Sequence, residues 1–469
     1  MVSIRRFSVQ FAWLTAFLAA VFLVSVILHR IIPERADSTA EPVIRHIPPE
    51  EWLDFAVVHP PTNRGWVAVP PSSEGAYPAA FDSSRTVNYR PESCRECHAD
   101  LVEEFGKTAH ARTMALPSLE SILGSFRPTA NRLETSLPGF SFQMTEKDGQ
   151  FLQEVHMERP LAPLVLSFPI AFVIGSGNHG QGFLHWSGDQ LCAMHVSYFT
   201  EFDRWTNSPG SYLDGTGDFA RPVSTRCLDC HATGFRHVAG SINRYDRSNW
   251  ILGVTCVRCH GPTGEHVEHH RSHREEAEPQ FIANPSRLER EAANEVCAQC
   301  HSGPGDLLRT AFTYRPGERL KDYLDIDLTG EGQQNEDPHS ANQLGRLMRS
   351  RCYQESPTLT CITCHDPHRH ERGQTSVFSQ RCQKCHAVED CPTRKRHGSA
   401  IDQRCVECHM PSRRDVEVAA RGPGDLLLPL LRDHLIAVRP EVDLREEATT
   451  ANPADSGRAA EPLGRESKD

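Results

Sequence analysis

Thr360-Cys361-Ile362-Thr363-Cys364-His365-Asp366-Pro367-His368 holds two thiols three residues apart, an imidazole directly after the second, and another imidazole three residues on. Positions i and i+3 of a helical turn share a face. The two thiols therefore meet one partner together, with His365 beside them. Cys-x-x-Cys-His is the attachment signature of a c-type haem: the thiols become thioethers to the porphyrin and the histidine ligates the iron. The device recurs at Cys94/Cys97/His98, Cys227/Cys230/His231, Cys256/Cys259/His260, Cys297/Cys300/His301, Cys382/Cys385/His386 and Cys405/Cys408/His409. Together with Cys361/Cys364/His365 these provide covalent cysteines and proximal iron ligands for seven c-type haems.

Zinc sites also use Cys-x-x-Cys pairs, and thioredoxin-like sites use one pair. Neither needs the trailing histidine. Every Cys-x-x-Cys in this chain has it, although histidine fills only 25 of 469 positions. Of the 17 cysteines, Cys192, Cys352 and Cys391 remain. Cys352 and Cys391 could form a disulfide in an oxidising compartment.

Only 38% of residues are hydrophobic, which is low for an ordinary core of this length. Haem macrocycles would supply the missing apolar material. The formal charge of −11 argues against nucleic acid or anionic lipid as partner. It suits a basic redox protein, or simply solubility.

Residues 1–30 read as a signal-anchor transmembrane helix. Arg5 and Arg6 precede Phe7 to Leu28, a stretch free of charge and long enough to span a bilayer. The basic flank puts the N-terminus in the cytoplasm. The expected placement is a single pass through the inner membrane with the haem domain in the periplasm, where c-type haem is attached in bacteria. Residues 36–40 form only a poor cleavage site, which favours an uncleaved anchor over a signal peptide. The Pro-rich residues 31–90 read as a tether. Residues 91–436 read as the heptahaem domain, mainly α and packed around haem. A small antiparallel β insertion is expected at 138–205, where Phe140 to Met144 alternates, Asp148-Gly149 marks a turn and Ala171 to Gly182 runs from a strand into a glycine-rich loop. Residues 437–469 are nearly devoid of apolar side chains and read as a disordered tail.

Seven irons need ligands on their far sides. The candidates are His110, His179, His266, His339, His368, His397 and His434. His368 lies too close to its own proximal histidine to reach the opposite face of that haem, so it is expected on a neighbour. His269, His270 and His273 read as a solvated helix face.

The seven motifs, with Cys256-Val257-Arg258-Cys259-His260-Gly261-Pro262 followed by His266, Cys361 to His368, and Cys405-Val406-Glu407-Cys408-His409-Met410-Pro411, resemble the multihaem cytochrome c superfamily. That group includes the tetrahaem cytochrome of ammonia oxidisers, pentahaem nitrite reductase, octahaem hydroxylamine oxidoreductase and octahaem tetrathionate reductase. Tyr314-Arg315-Pro316-Gly317 and Asp433-His434-Leu435-Ile436 are similar to stretches of uncharacterised multihaem cytochromes. The resemblance spans roughly 91–436. It implies a mostly helical, haem-packed fold with stacked and perpendicular haem pairs. No motif here ends in Lys, as the active haem of pentahaem nitrite reductase does, and there are seven motifs instead of eight.

Three functions fit these features. The first is an electron carrier between a membrane quinol-linked donor and a periplasmic acceptor. The second is an oxidoreductase acting on nitrite, hydroxylamine or tetrathionate at one five-coordinate haem. His185, His195, Tyr198 and Arg204 would then be candidate proton or anion groups. The third is a docking module of a larger respiratory complex. No catalytic motif is visible, which favours the carrier.

Overall fold

The computed structural model describes residues 43–45, 91–160, 162–209, 219–303, 305–326, 342–414, 420–421 and 426–439. It corrects the expectation of a mainly α fold. Helix accounts for 30% and strand for 26% of the structure. The physical reason lies in the motif itself. One turn is enough to bring two cysteines to one face, so several attachment helices are very short: Cys361–Cys364 and Val257–His260 have four residues each, and Cys405–His409 has five. Only Pro91–Gly106 and Arg290–His301 are long, and the first is kinked at its motif histidine, His98.

The β part exceeds the expected insertion. A five-stranded sheet runs in the order Val43–Arg45, Leu164–Pro169, Gln150–Met157, Phe140–Lys147, Arg132–Glu134. The first pair is parallel and the rest antiparallel, so part of the expected tether adds a strand. Asp148 and Gly149 both have positive φ, 52° and 76°. That pair of values closes the Phe140–Lys147/Gln150–Met157 hairpin in a turn whose twist matches its strands. A seven-stranded sheet carries Arg204–Asn207, Val196–Phe199, Gly180–Ser187, Phe172–Ile174 and Met114–Ala115, with Gln190–Ala193 and Arg221–Pro222 branching from Gly180–Ser187. A further hairpin, Ala232–His237 with Tyr245–Leu252, joins the second haem motif to the third.

These sheets enclose the principal apolar core. Phe142, Met144, Phe168, Phe172, Phe183, Leu191, Met194 and Phe219 are all buried there. Phe168 and Phe219 stack with ring centres 4.0 Å apart. Among the described residues the buried apolar side chains are thus concentrated in the β body. The motif-bearing segments keep only small clusters, such as Ala298, Leu320, Leu324 and Leu344.

Among the described residues no helix is long and apolar enough to cross a membrane. The stretch 7–28, most of the tether and residues 440–469 lie outside the described residues.

Candidate haem-binding site

Where the motif segments meet the β body, a connected cavity of about 2940 Å³ opens. Interiors built from side chains alone pack to crystal-like density and leave few voids larger than a water molecule. A space of this size is shaped for groups that are not polypeptide. Its walls carry the cysteines and histidines of the first five motifs, together with Cys382 of the sixth and Val406, Glu407 and Met410 around the seventh. The motifs are numbered in chain order, and a haem number below names the haem that the motif would attach.

The sixth motif departs from the expected enclosure. His386, expected as the proximal ligand of haem 6, is exposed and outside the cavity wall, as is Cys385. The cause is local. The helix Thr375–Cys382 stops at the first cysteine of the motif, and the chain leaves it in a turn closed by the His386 N–H on the Cys382 carbonyl at 3.0 Å. Gln383, Lys384, Cys385, His386 and Ala387 all face solvent in that turn. Cys382 and Lys384 reach the cavity wall, whereas Cys385 and His386 do not, so the geometry does not seat His386 as it seats the histidines of motifs 2 to 5.

Cysteines of different motifs lie within interaction range of one another: Cys94 of Cys256, Cys230 of Cys300, and Cys297 of Cys361. The attachment points of haems 1 and 3, 2 and 4, and 4 and 5 are therefore neighbours.

The imidazoles are arranged for metal binding in two respects. First, several have Nδ1 committed to a hydrogen-bond acceptor. Nδ1 of His260 donates to the Ala283 carbonyl at 2.8 Å, that of His409 to Ala437 at 3.0 Å, and that of His301 to the Gln343 side-chain oxygen at 3.0 Å. Nδ1 of His266 donates to the Gln280 carbonyl at 2.7 Å and that of His434 to Arg432 at 3.2 Å. A donor bond from Nδ1 selects the tautomer that leaves the Nε2 lone pair for a metal.

Second, three candidate pairs face each other. Ring centres lie 6.0 Å apart for His260 and His368, 6.1 Å for His301 and His110, and 6.2 Å for His365 and His434. With metal–nitrogen bonds of about 2 Å, two imidazoles on opposite sides of one metal have centres about 6 Å apart. Burial depresses the basicity of His110, His260, His301, His365 and His434. His110 and His434 are each lowered to about 4, by burial first and neighbouring imidazoles second. His260, His301 and His365 are lowered for the same leading reason. Burial thus favours the neutral form of these five, the form that ligates a metal.

Each facing ring is placed by local structure. Val254 N–H donates to the His110 carbonyl at 3.0 Å, so the strand leaving the hairpin fixes the His110 turn. His368 follows the Asp366-Pro367 bend, where its own N–H donates to the Asp366 carboxylate at 3.0 Å. His434 follows Asp433, a fully buried carboxylate paired with Arg346 at 2.6 and 2.9 Å and with Arg439 at 3.3 Å. Burial opposes ionisation of Asp433, but the Arg346 guanidinium outweighs it and holds the carboxyl below its ordinary range.

The other candidates stand differently. His179 lines the cavity from the glycine-rich loop, which Arg372 reaches through a 3.0 Å bond to the Asn178 carbonyl. His266 lines the cavity beside His270, 4.7 Å away. His397 ends the exposed turn Arg394–His397, outside the cavity wall. His339 lies outside the described residues. Cys352 and Cys391, considered as a disulfide, are both half-buried. Cys352 sits within electrostatic reach of Cys364, Cys382 and Cys385 of motifs 5 and 6.

His185 and His195, considered as proton groups, belong to the β core. His185 Nε2 meets the Phe219 carbonyl at 2.6 Å, and His195 Nε2 meets Asn207 at 2.9 Å while its ring stacks on Phe142. Tyr198 is bonded to Asp203. None of the three lines the cavity.

Sequence reading missed the supports. Asn294 accepts the Cys361 N–H at 2.9 Å and Gln343 holds His301. Both are single amides far from the motifs they serve, and nothing in local spacing marks them. Asp433 stood next to a candidate ligand and was the more visible of these signals.

Neither a curated protein nor a solved structure matches the chain. The family model of cytochrome c554 and c-prime matches residues 199–261, which hold the second and third motifs. Read with the thiol-lined cavity, that match supports a c-type multihaem cytochrome family for this chain, with covalently bound haem and electron transfer as its chemistry.

Proposed function

We propose that the protein is a heptahaem c-type cytochrome which passes electrons along closely placed haems, from a membrane quinol-linked donor to an acceptor in the periplasm. In this reading His260/His368, His301/His110 and His365/His434 are the axial pairs of haems 3, 4 and 5. The observation that carries it is the set of three facing imidazole pairs at 6.0–6.2 Å across the cavity. Irons closed on both sides exchange electrons without binding substrate, which is what a carrier needs. The neighbouring cysteines of motifs 1 and 3, 2 and 4, and 4 and 5 would attach those haems close to one another, as hopping requires.

One observation favours a second reading. Among the described residues no imidazole faces His98, His231, His386 or His409 in the manner of the three pairs. The haem of any of these four motifs is then a candidate for an open iron, at which a small nitrogen or sulfur compound would react.

Intact mass and the oxidised electron paramagnetic resonance spectrum separate the readings, together with a carbon monoxide difference spectrum of the reduced protein. Seven haem additions, low-spin signals alone and no carbon monoxide binding support the carrier. Carbon monoxide on one iron in seven transfers the function to a reductase or oxidase. Fewer than seven haems overturns the heptahaem assignment, and a shortfall of one would fall first on the exposed sixth motif.

A further inference from the structure

The residue just before the second cysteine of a haem motif is commonly regarded as a spacer. In motifs 2, 3 and 4 that position holds Asp229, Arg258 and Gln299. All three are buried, at 5%, 5% and 3% exposure, and they bond to one another. Arg258 Nη2 donates to the Asp229 carbonyl at 2.8 Å and to its carboxylate at 3.1 Å. Gln299 Nε2 donates to the Arg258 carbonyl at 3.0 Å. Arg226, one residue before motif 2, closes the ring: its Nη1 donates to the Gln299 carbonyl at 3.0 Å and lies 3.5 Å from the Asp229 carboxylate. Phe312 covers the assembly, with its N–H on Asp229 at 2.7 Å and its ring under the Arg258 guanidinium.

Three attachment loops, distant in the chain, are thus tied by their interior residues. Stability alone does not account for the choice of groups. Burying an ion pair costs several kcal/mol per ion by order of magnitude, and apolar side chains of the same volume often serve as well. What charge adds is a field. Two guanidiniums face one carboxylate, leaving a net positive charge among the attachment points of haems 2, 3 and 4, where the dielectric is low and screening weak. Positive charge favours the ferrous over the ferric state and raises the reduction potential.

We propose that Asp229, Arg258 and Gln299, with Arg226, form a clasp that fixes the spacing of haems 2, 3 and 4 and sets their potentials through its net positive charge. This rests on the proposed function. Each transfer at the clasp is a one-electron exchange: the iron that gives up the electron goes from ferrous to ferric, and its neighbour goes from ferric to ferrous. The clasp residues gain and lose nothing. They are positioning residues, acting on the irons through space and through the attachment loops.

The test is spectroelectrochemical titration of the full-length, haem-loaded protein and three variants. Arg258→Gln removes the positive charge at similar volume, Asp229→Asn removes the negative one, and Arg258→Lys restores the charge without the fork. The expected result is a shift of opposite sign. R258Q lowers the reduction equilibrium constant of at least one haem tenfold or more, which is about 59 mV for one electron. D229N raises it by a comparable factor, and R258K recovers most of the R258Q loss. A merely structural role lets water in and moves both neutral variants the same way. That outcome, or no shift, overturns the proposal. Loss of haem from both neutral variants overturns it too, since the residues would then serve folding alone. Wild-type protein lacking haem at Cys227, Cys256 or Cys297 would instead sink the function on which the proposal rests.

Discussion

The imidazole planes of His110 and His301 cross at 82°, with ring centres 6.1 Å apart, whereas the planes of His260 and His368 differ by only 16° and those of His365 and His434 by 26°. Axial imidazole planes set the splitting of the iron d orbitals. Parallel planes give an ordinary rhombic low-spin spectrum, and crossed planes give a strongly anisotropic one. The oxidised protein is therefore expected to show one large-g low-spin signal from haem 4 beside rhombic signals from haems 3 and 5. Substituting His110→Ala should abolish the large-g signal and create one carbon monoxide-binding haem. Persistence of that signal in H110A would detach His110 from haem 4.

The His110 turn can also be disturbed from a distance. Gly253 has φ +67°, and a Cβ there would lie 2.3 Å from the Ala111 carbonyl oxygen. Gly253→Ala must strain the backbone and push the turn that carries His110, at a cost above about 1 kcal/mol. The expected result is a fraction of carbon monoxide-binding haem 4 in a protein that still carries all its haems. Full retention of the six-coordinate spectrum would show that the turn yields without moving the ring.

The candidate attachment motifs were far more legible than the fold, and the reason is range. A Cys-x-x-Cys-His motif is complete within five residues, so each attachment site could be read locally. Its spacing does not say how deeply the site is set, which is why the exposure of His386 could not be foreseen from a motif identical in form to the buried ones. His110, His368 and His434 could be named as candidate ligands, but the imidazoles they face are set by how Val254, Asp366 and Asp433 place them, and no local pattern encodes such contacts. The β body was underestimated because residues 140–157 and 171–182 carry strand and turn signals, while Arg132–Glu134 and the hairpin at 232–252, both outside 138–205, do not stand out in the chain. Short strands gain their identity from neighbours already in the sheet. The expectation of helix came from counting motifs, each of which commits only one turn.

Asp433 offers a direct probe of haem 5. Asp433→Asn leaves Arg346 and Arg439 facing a neutral amide in a buried site, and breaking such a pair costs about 3–5 kcal/mol. We expect a lower thermal midpoint and release of His434, read as carbon monoxide binding at one further haem. An unchanged ligand state in a destabilised variant would restrict the Arg346–Asp433 pair to stability.

Glu154 governs the acid limit of the β body. Burial alone would raise its carboxyl, but bonds from His156, Lys147 and Ser167 hold it at about 2, below its ordinary 4.5. Because the folded value is the lower one, the contribution is fully present above pH 4.5 and is lost as the pH falls toward 2. With Lys147 half exposed and screened, its size is roughly 2 kcal/mol. Glu154→Gln should flatten this limb of an acid titration followed by far-ultraviolet circular dichroism. An identical acid midpoint in both proteins would assign the limb to other carboxylates.

His110 precedes its partner His301 in the chain, whereas His368 and His434 follow His260 and His365. On the proposed axial pairing, a polypeptide exported N-terminus first would deliver these ligands on different schedules. The cap for haem 4 would already be outside when Cys297 and Cys300 emerge. Haem 3 would wait for residue 368 and haem 5 for residue 434, each exposing one iron face to solvent and small ligands in the interval. The order of three histidines along the chain would thus stagger, in time, the closing of the irons during maturation.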